Sequence, residues 1–154
     1  MIKLDKINKK ILRIIQDDGS ITNSDLSKEI GLAPASTLER VRKLELSGVI
    51  KKYVGLVDPE KIGKGITVFV EITLLKHTSE SIETFTREIS AIPEVLECHH
   101  IAGDKDFLLK VVTEDIKDYK EFAMEKLAAM KGIGKVQTLF SLGTVKNTTA
   151  IPID

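Results

Sequence analysis

The chain has 154 residues, 42% of them hydrophobic, with 23 Lys and Arg balanced by 23 Asp and Glu to a formal net charge of zero. That apolar content packs one ordinary domain or two small ones and excludes a disordered tail. No apolar run approaches the ~20 residues of a membrane span, Met1 to Lys6 lack the hydrophobic stretch of a secretory signal, and the single cysteine, Cys98, excludes an intrachain disulfide, so a cytoplasmic protein without membrane attachment is expected.

Leu4, Ile7, Ile11, Leu12 and Ile15 predict an amphipathic first helix that covers two others. In the second, Leu26 and Ile30 share one stripe, Thr22 with Asp25 forms a start signal, and Gly31 supplies a left-handed stop. A third helix starts near Pro34, with Leu38, Val41 and Leu44 expected to point inward. Ser36, Glu39, Arg40 and Lys43 fall on the opposite side, and with Thr37 and Arg42 they make up the candidate DNA-reading set. Helix, glycine turn and basic second helix follow the grammar of a helix-turn-helix. A basic helix face is often only a solvated face, but charge distribution favours the DNA reading. Met1 to Asp58 holds eleven Lys and Arg against eight Asp and Glu, so the neutral total hides a basic N-terminal half and an acidic remainder.

Val49 to Val57, rich in β-branched and aromatic residues, predicts a strand that links two halves. The boundary falls at Asp58-Pro59, giving a DNA-binding domain over 1–58 and a second domain over 59–154. In the second, Ile66 to Leu74 alternates as a strand, Ser79 to Ala91 has helical spacing, and Val95 to Ala102 is extended. Phe107 to Thr113 is again a strand, Ile116 to Met130 a helix with Tyr119, Ala123, Leu127 and Met130 along its apolar side, and Val136 to Val145 the last strand. The order βαββαβ predicts a ferredoxin-like α+β unit. Its sheet reads as apolar on both faces: Phe69 lies opposite Val68 and Val70, and Phe107 with Leu108, Val111 with Val112 and Leu139 with Phe140 occupy both parities. Such a sheet needs a second cover, and a second copy of the chain is the simplest one. A symmetric dimer also suits a helix-turn-helix reading a palindromic double-stranded site.

An enzyme is the competing class, and the residues speak against it. His99 and His100 are adjacent on a strand and point to opposite faces; Cys98 and His100 share a face but make only two ligands, so no metal site is expected. Asp104 and Asp106 lie in a turn with no nucleophile nearby in sequence, and no phosphate-cradling glycine motif exists. Gly103, between Ala102 and Asp104, lets backbone N–H groups turn toward an anion, and either aspartate can accept from an ammonium. A tight turn whose aspartates bond their own backbone explains the same residues. The sequence alone leaves both open.

Over nearly its full length the chain resembles the Lrp/AsnC family of leucine-responsive and asparagine regulators. The resemblance rests on Leu4-Asp5 with Ile11-Leu12, Gly31-Leu32, Leu38 to Glu45, Gly48-Val49-Ile50, Val68 to Ile72 and Val95 to Phe107. Leu38 to Glu45 and Glu97 to Leu109 are more similar to the leucine-responsive branch. The resemblance implies a transcription factor with an N-terminal, winged or plain, three-helix helix-turn-helix and a C-terminal amino-acid-sensing domain. It further implies dimers that assemble to higher even oligomers such as octamers, and an effector, leucine or another apolar amino acid, bound around Ala102, Gly103, Asp104, Lys105 and Asp106, with Thr138 and Phe140 as a further wall. An amino-acid-binding oligomer with only architectural DNA binding is the alternative. One departure concerns Ala33, where the family usually has serine: it cannot cap the recognition helix, at a cost of about 1 kcal/mol, and Ser36 is the alternative cap.

Overall fold

The computed structural model describes residues 4–154; residues 1–3, the start of the segment read for a signal sequence, lie outside them. The chain divides into two compact units, Met1–Leu56 with Lys146–Asp154, and Val57–Val145. The last nine residues pack with the first unit, whereas the sequence reading runs the second domain to residue 154. No helix among the described residues is long and apolar enough to cross a membrane.

The first unit holds α1 (Lys6–Asp17), α2 (Asn23–Ile30) and α3 (Pro34–Leu46). Asp5 caps α1 by accepting the Asn8 N–H at 2.7 Å. The expected start of α2 is present, Thr22 Oγ1 accepting the Asp25 N–H at 3.1 Å, and Gly31 ends it at φ 75°, where its N–H and that of Leu32 both reach the Ser27 carbonyl. Ile11, Leu12, Leu26 and Leu44 form the buried centre, and Ile7, Ile15, Val41 and Ile50 pack around it.

α3 begins at Pro34 although Ala33 offers no side-chain bond; proline preorganises the first turn, and Ser36 does not shift the start. The inward stripe differs from the expected one. Thr37 is fully buried and Leu38 is 40% exposed. Thr37, one turn from Val41 and two from Leu44, replaces Leu38 in the stripe because its hydroxyl donates to the Ala33 carbonyl at 3.1 Å, which removes the cost of burying a polar group.

No strand forms over Val49–Val57; the chain there has neither helix nor strand, and Val54, Leu56 and Val57 are well exposed. β propensity without a partner strand leaves backbone groups unpaired, and this chain alone supplies no partner.

The second unit opens with a 3-10 turn, Glu60–Ile62, and continues as β1 (Ile66–Leu74), α4 (Ser79–Ile89), β2 (Val95–His100), β3 (Phe107–Thr113), α5 (Ile116–Glu121) and β4 (Ile133–Phe140). The sheet is antiparallel in the order β2-β3-β1-β4, the expected ferredoxin-like arrangement. Val68, Val70, Ile72, Leu109 and Val111 face α4 and α5 in a core shared with Phe85, Ile89, Tyr119, Phe122 and Leu127. α5 runs on as a π-helical stretch, Phe122–Leu127, in which the Ala128 N–H bonds the Ala123 carbonyl five residues back. That wider turn adds Phe122 to the buried side beside the expected Tyr119 and Leu127, while Ala123 and Met130 pack on the core only in part.

β4 starts earlier than expected and ends at Phe140, so Ser141–Val145 lie outside the sheet. Gly134 belongs to the strand rather than to the turn before it. A Cβ there would sit 3.1–3.3 Å from Leu75 and from the Thr73 carbonyl, beside the register shift between Thr73 and Leu74. The sheet face away from the helices carries Phe69, Leu108, Val112 and Leu139 among Glu71, Lys110, Glu97 and His99. Lys110 Nζ and His99 Nε2 both reach Glu97, at 3.0 and 3.1 Å, and His100 on the opposite face stacks on Phe107 at 4.8 Å.

Candidate DNA-reading helix and effector turn

The outward face of α3 is built by what its buried stripe leaves over. Ser36, Glu39, Arg42 and Lys43 are exposed, with Ala35 and Leu38 between them. Glu39 and Lys43 pair at 2.6 Å one turn apart, which holds the Glu39 carboxyl below its usual range.

Two of the expected reading residues stand elsewhere. Thr37 is inside the core and out of reach of any ligand. Arg40 is turned toward α1: its Nη1 lies 2.7 Å from Asp5 Oδ2 and 2.9 Å from Asn8 Oδ1. The Asn8 N–H and, next, the Arg40 guanidinium keep the Asp5 carboxyl low. The cap of α1 is therefore also the anchor of α3, a link between positions 35 residues apart that spacing does not reveal. A second anchor comes from Asn23, whose Nδ2 donates to the Pro34 carbonyl at 2.9 Å. It ties the first turn of α2 to the first turn of α3.

In the second unit the turn between β2 and β3 leaves Ala102, Gly103 and Asp104 exposed and Lys105 half-buried. Gly103 has φ 153°, a conformation side-chain-bearing residues rarely adopt. Asp106 is fixed rather than free. Its N–H bonds the Ile72 carbonyl and its carbonyl accepts the Ile101 N–H, both at 2.9 Å. Its Oδ2 accepts the Leu74 N–H at 2.7 Å, and its Oδ1 lies 2.9 Å from His77 Nδ1. Each carboxylate oxygen has lone pairs to spare, so an ammonium can still be accepted.

Thr138 and Phe140 do not close this turn within one chain. Thr138 lies opposite Val70 with its hydroxyl 2.6 Å from that of Tyr119, and Phe140 lies opposite Val68 with its edge on Tyr119, ring centres 5.3 Å apart. Asp106 is anchored at Ile72 and Leu74, so Phe140 is about 13 Å farther along β1. The turn and the end of β4 are two separate surfaces of the unit. His77 and the Leu74 amide, absent from the sequence-derived set, are the groups that do meet Asp106.

Comparison with known proteins decides the class. Residues 67–151 match the Lrp/AsnC ligand binding domain, and residues 4–51 match a winged helix-turn-helix DNA-binding domain. The chain belongs to the Lrp/AsnC family. It is 39% identical to the transcriptional regulator AzlB of Bacillus subtilis (strain 168), over 99% of this chain and 98% of that protein. Identity to the leucine-responsive regulatory protein of Escherichia coli (strain K12) is 37%, over 97% and 92%. Among solved structures, an AsnC family regulator from Agrobacterium tumefaciens superposes with a TM-score of 0.92 at 38% identity, and a Neisseria meningitidis regulator in complex with L-Met with 0.93 at 31%, each over 97% of both chains. This Lrp/AsnC chain is accordingly a transcriptional regulator, not an enzyme, with a helix-turn-helix DNA-binding domain and a ligand-binding domain. In a helix-turn-helix the second helix of the motif enters the major groove, which makes the outward face of α3 the candidate reading surface of the first, and the exposed turn at Asp106 is a candidate surface of the second.

Proposed function

We propose that this regulator reads a palindromic double-stranded site as a homodimer, assembles further to even-numbered oligomers, and is tuned by an apolar amino acid bound at Ala102 to Asp106. The observation that carries the effector reading is the fixed carboxylate of Asp106 behind an exposed, glycine-containing turn. Its rigid placement suits an ammonium, and the turn's free N–H groups suit a carboxylate. The L-Met bound to the Neisseria regulator supports an amino acid as the ligand class. Thr138 and Phe140, too far from the turn in one chain, reach it only from a second copy, which makes the complete pocket a product of assembly.

On the DNA side, Ser36, Glu39, Arg42 and Lys43 face the groove and Arg40 holds α3 on α1. Phe69, Leu108, Val112 and Leu139 favour a second copy as the cover of the open sheet face. An effector that binds one assembly better than another shifts DNA affinity by that difference and no more. A calorimetric screen of the twenty amino acids against the full chain tests the reading. Binding of leucine or another apolar amino acid is expected, and silence from all twenty would refute it. Phe69→Glu should lower the mass seen by light scattering to that of the monomer; an unchanged oligomer removes the open face as the interface.

A further inference from the structure

The C-terminal segment returns to the first helix. Lys146–Asp154 belong with the helical unit although the chain reaches them from β4. Gln16 and Ile151 exchange two hydrogen bonds: Gln16 Oε1 accepts the Ile151 N–H at 2.7 Å, and Gln16 Nε2 donates to the Ile151 carbonyl at 3.0 Å. The side-chain amide thus does what a neighbouring strand would do. At Ile153 the carbonyl accepts from Arg13 Nε at 3.0 Å and from Nη2 at 2.6 Å. Arg13 and Gln16 stand one turn apart on α1, so both grips come from a single helix face. The Ile153 side chain packs on the three-helix core, whereas Ile151 stays 71% exposed.

Before the docked residues, Ser141–Thr149 form neither helix nor strand, and Leu142 and Val145 are fully exposed. The chain therefore passes between its units twice, at Leu56–Val57 and at Val145–Lys146. Ile50 packs on the three-helix core and Tyr53 bonds Glu45, so a single crossing through the unpaired residues Val54–Val57 that follow would leave the DNA-binding unit free to swing. A second one, fixed at its far end by Arg13 and Gln16, restricts it.

We propose that the docked tail Ala150–Asp154 is a second tether, whose work is to present the α3 helices of a dimer to paired half-sites at high effective concentration. The proposal rests on the dimeric reading above. Two chains each held by one flexible crossing search a larger volume, and the second half-site is then engaged less often.

The test uses the full chain, a variant ending at Thr149, and a variant with a flexible Gly-Ser insertion of about ten residues after Gly143, which keeps the docked tail but slackens the tether. Duplexes with one or two copies of a half-site, selected from random DNA by the wild type, are titrated, and amide exchange follows Ile14 to Asp17. Both variants should bind the paired site about tenfold more weakly and the single half-site within about twofold of wild type, as lost effective concentration requires. The insertion variant should keep its exchange protection.

Unchanged paired-site affinity in the insertion variant overturns the proposal and leaves the tail as packing alone. An equal fall on single half-sites also overturns it, because the tail would then stabilise the helices locally. Should wild type bind paired sites no better than single ones, the tether falls, and the dimeric reading falls with it only if the chain is a monomer. Light scattering then identifies the cause: a monomer places the failure in assembly, and a dimer places it in the tether.

Discussion

Asp106 has a structural role and, in the proposed function, a ligand-binding one, and two substitutions separate them. Its Oδ2 is the acceptor for the Leu74 N–H at 2.7 Å, and Leu74 is 4% exposed, so that amide has little access to a substitute acceptor. Asp106→Ala leaves that amide unsatisfied, at a cost of about 2 kcal/mol within the usual 1–3. The contact to His77 adds little, at most ~0.5 kcal/mol, because that imidazole is 64% exposed. For a unit of this size, about 2 kcal/mol lowers the melting temperature by about 10 °C. Asp106→Asn keeps a carbonyl oxygen for Leu74 and should cost less than about 1 kcal/mol. It removes the charge that an effector ammonium needs, so amino-acid affinity should fall in Asn and Ala variants alike, about tenfold or more. Thermal melting and calorimetric titration of the three proteins give the two readouts. If Asp106→Ala melts with the wild type, the buried-amide argument is wrong; if Asp106→Asn binds the effector undiminished, the ammonium partner lies elsewhere.

Arg42→Ala should weaken binding to DNA by about 1–3 kcal/mol if it reads a base, whereas Thr37→Val should leave affinity near wild type because Thr37 is buried; gel-shift titrations at two salt concentrations decide between these faces. Leu44→Ala opens a cavity in the small helical core and should destabilise the first unit by about 2–4 kcal/mol in urea unfolding. Tyr53, partly buried and bonded to Glu45 at 3.0 Å, has its phenol pushed up to about 12, and burial also raises Tyr119. The two tyrosines of the native chain should therefore show little tyrosinate absorbance at pH 10, where the unfolded chain is half ionised. Because both folded values are raised, their contribution to stability is complete below pH 10 and is lost at higher pH, for Tyr53 as the pH climbs toward 12.

The fold of the second unit is readable because strand alternation, helical spacing and turn residues all agree on βαββαβ, and Thr22, Asp25 and Gly31 mark α2 by local chemistry alone. Misreadings arose where a tertiary partner overrides the pattern. Leu38 outranks Thr37 in hydrophobicity, yet a hydroxyl satisfied by the Ala33 carbonyl packs inside while the leucine stays 40% exposed. Arg40, expected at the groove, has its guanidinium on Asp5 and Asn8, partners far away in sequence that spacing does not reveal. Val49–Val57 has strand composition but no strand to pair with in its own chain. The tail's docking on Arg13 and Gln16 has no periodic signature, because it uses backbone groups that every residue possesses. At the turn between β2 and β3, Gly103 and Asp106 are visible as residue types; the separation of Phe140 from them follows from register, which composition does not encode.

The π-helical stretch after α5 gives the second unit an adjustable length. A wide turn holds one residue more than an α-helical turn needs, and Met124 within it is 66% exposed. Loss of one such residue would let the segment relax to regular α-helix, drawing Leu127 from five residues after Phe122 to four while both keep facing the sheet. Most single-residue deletions in a helix rotate everything that follows by about 100° and turn the core side outward. Here the helix carries slack, so α5 can shorten without unseating β4.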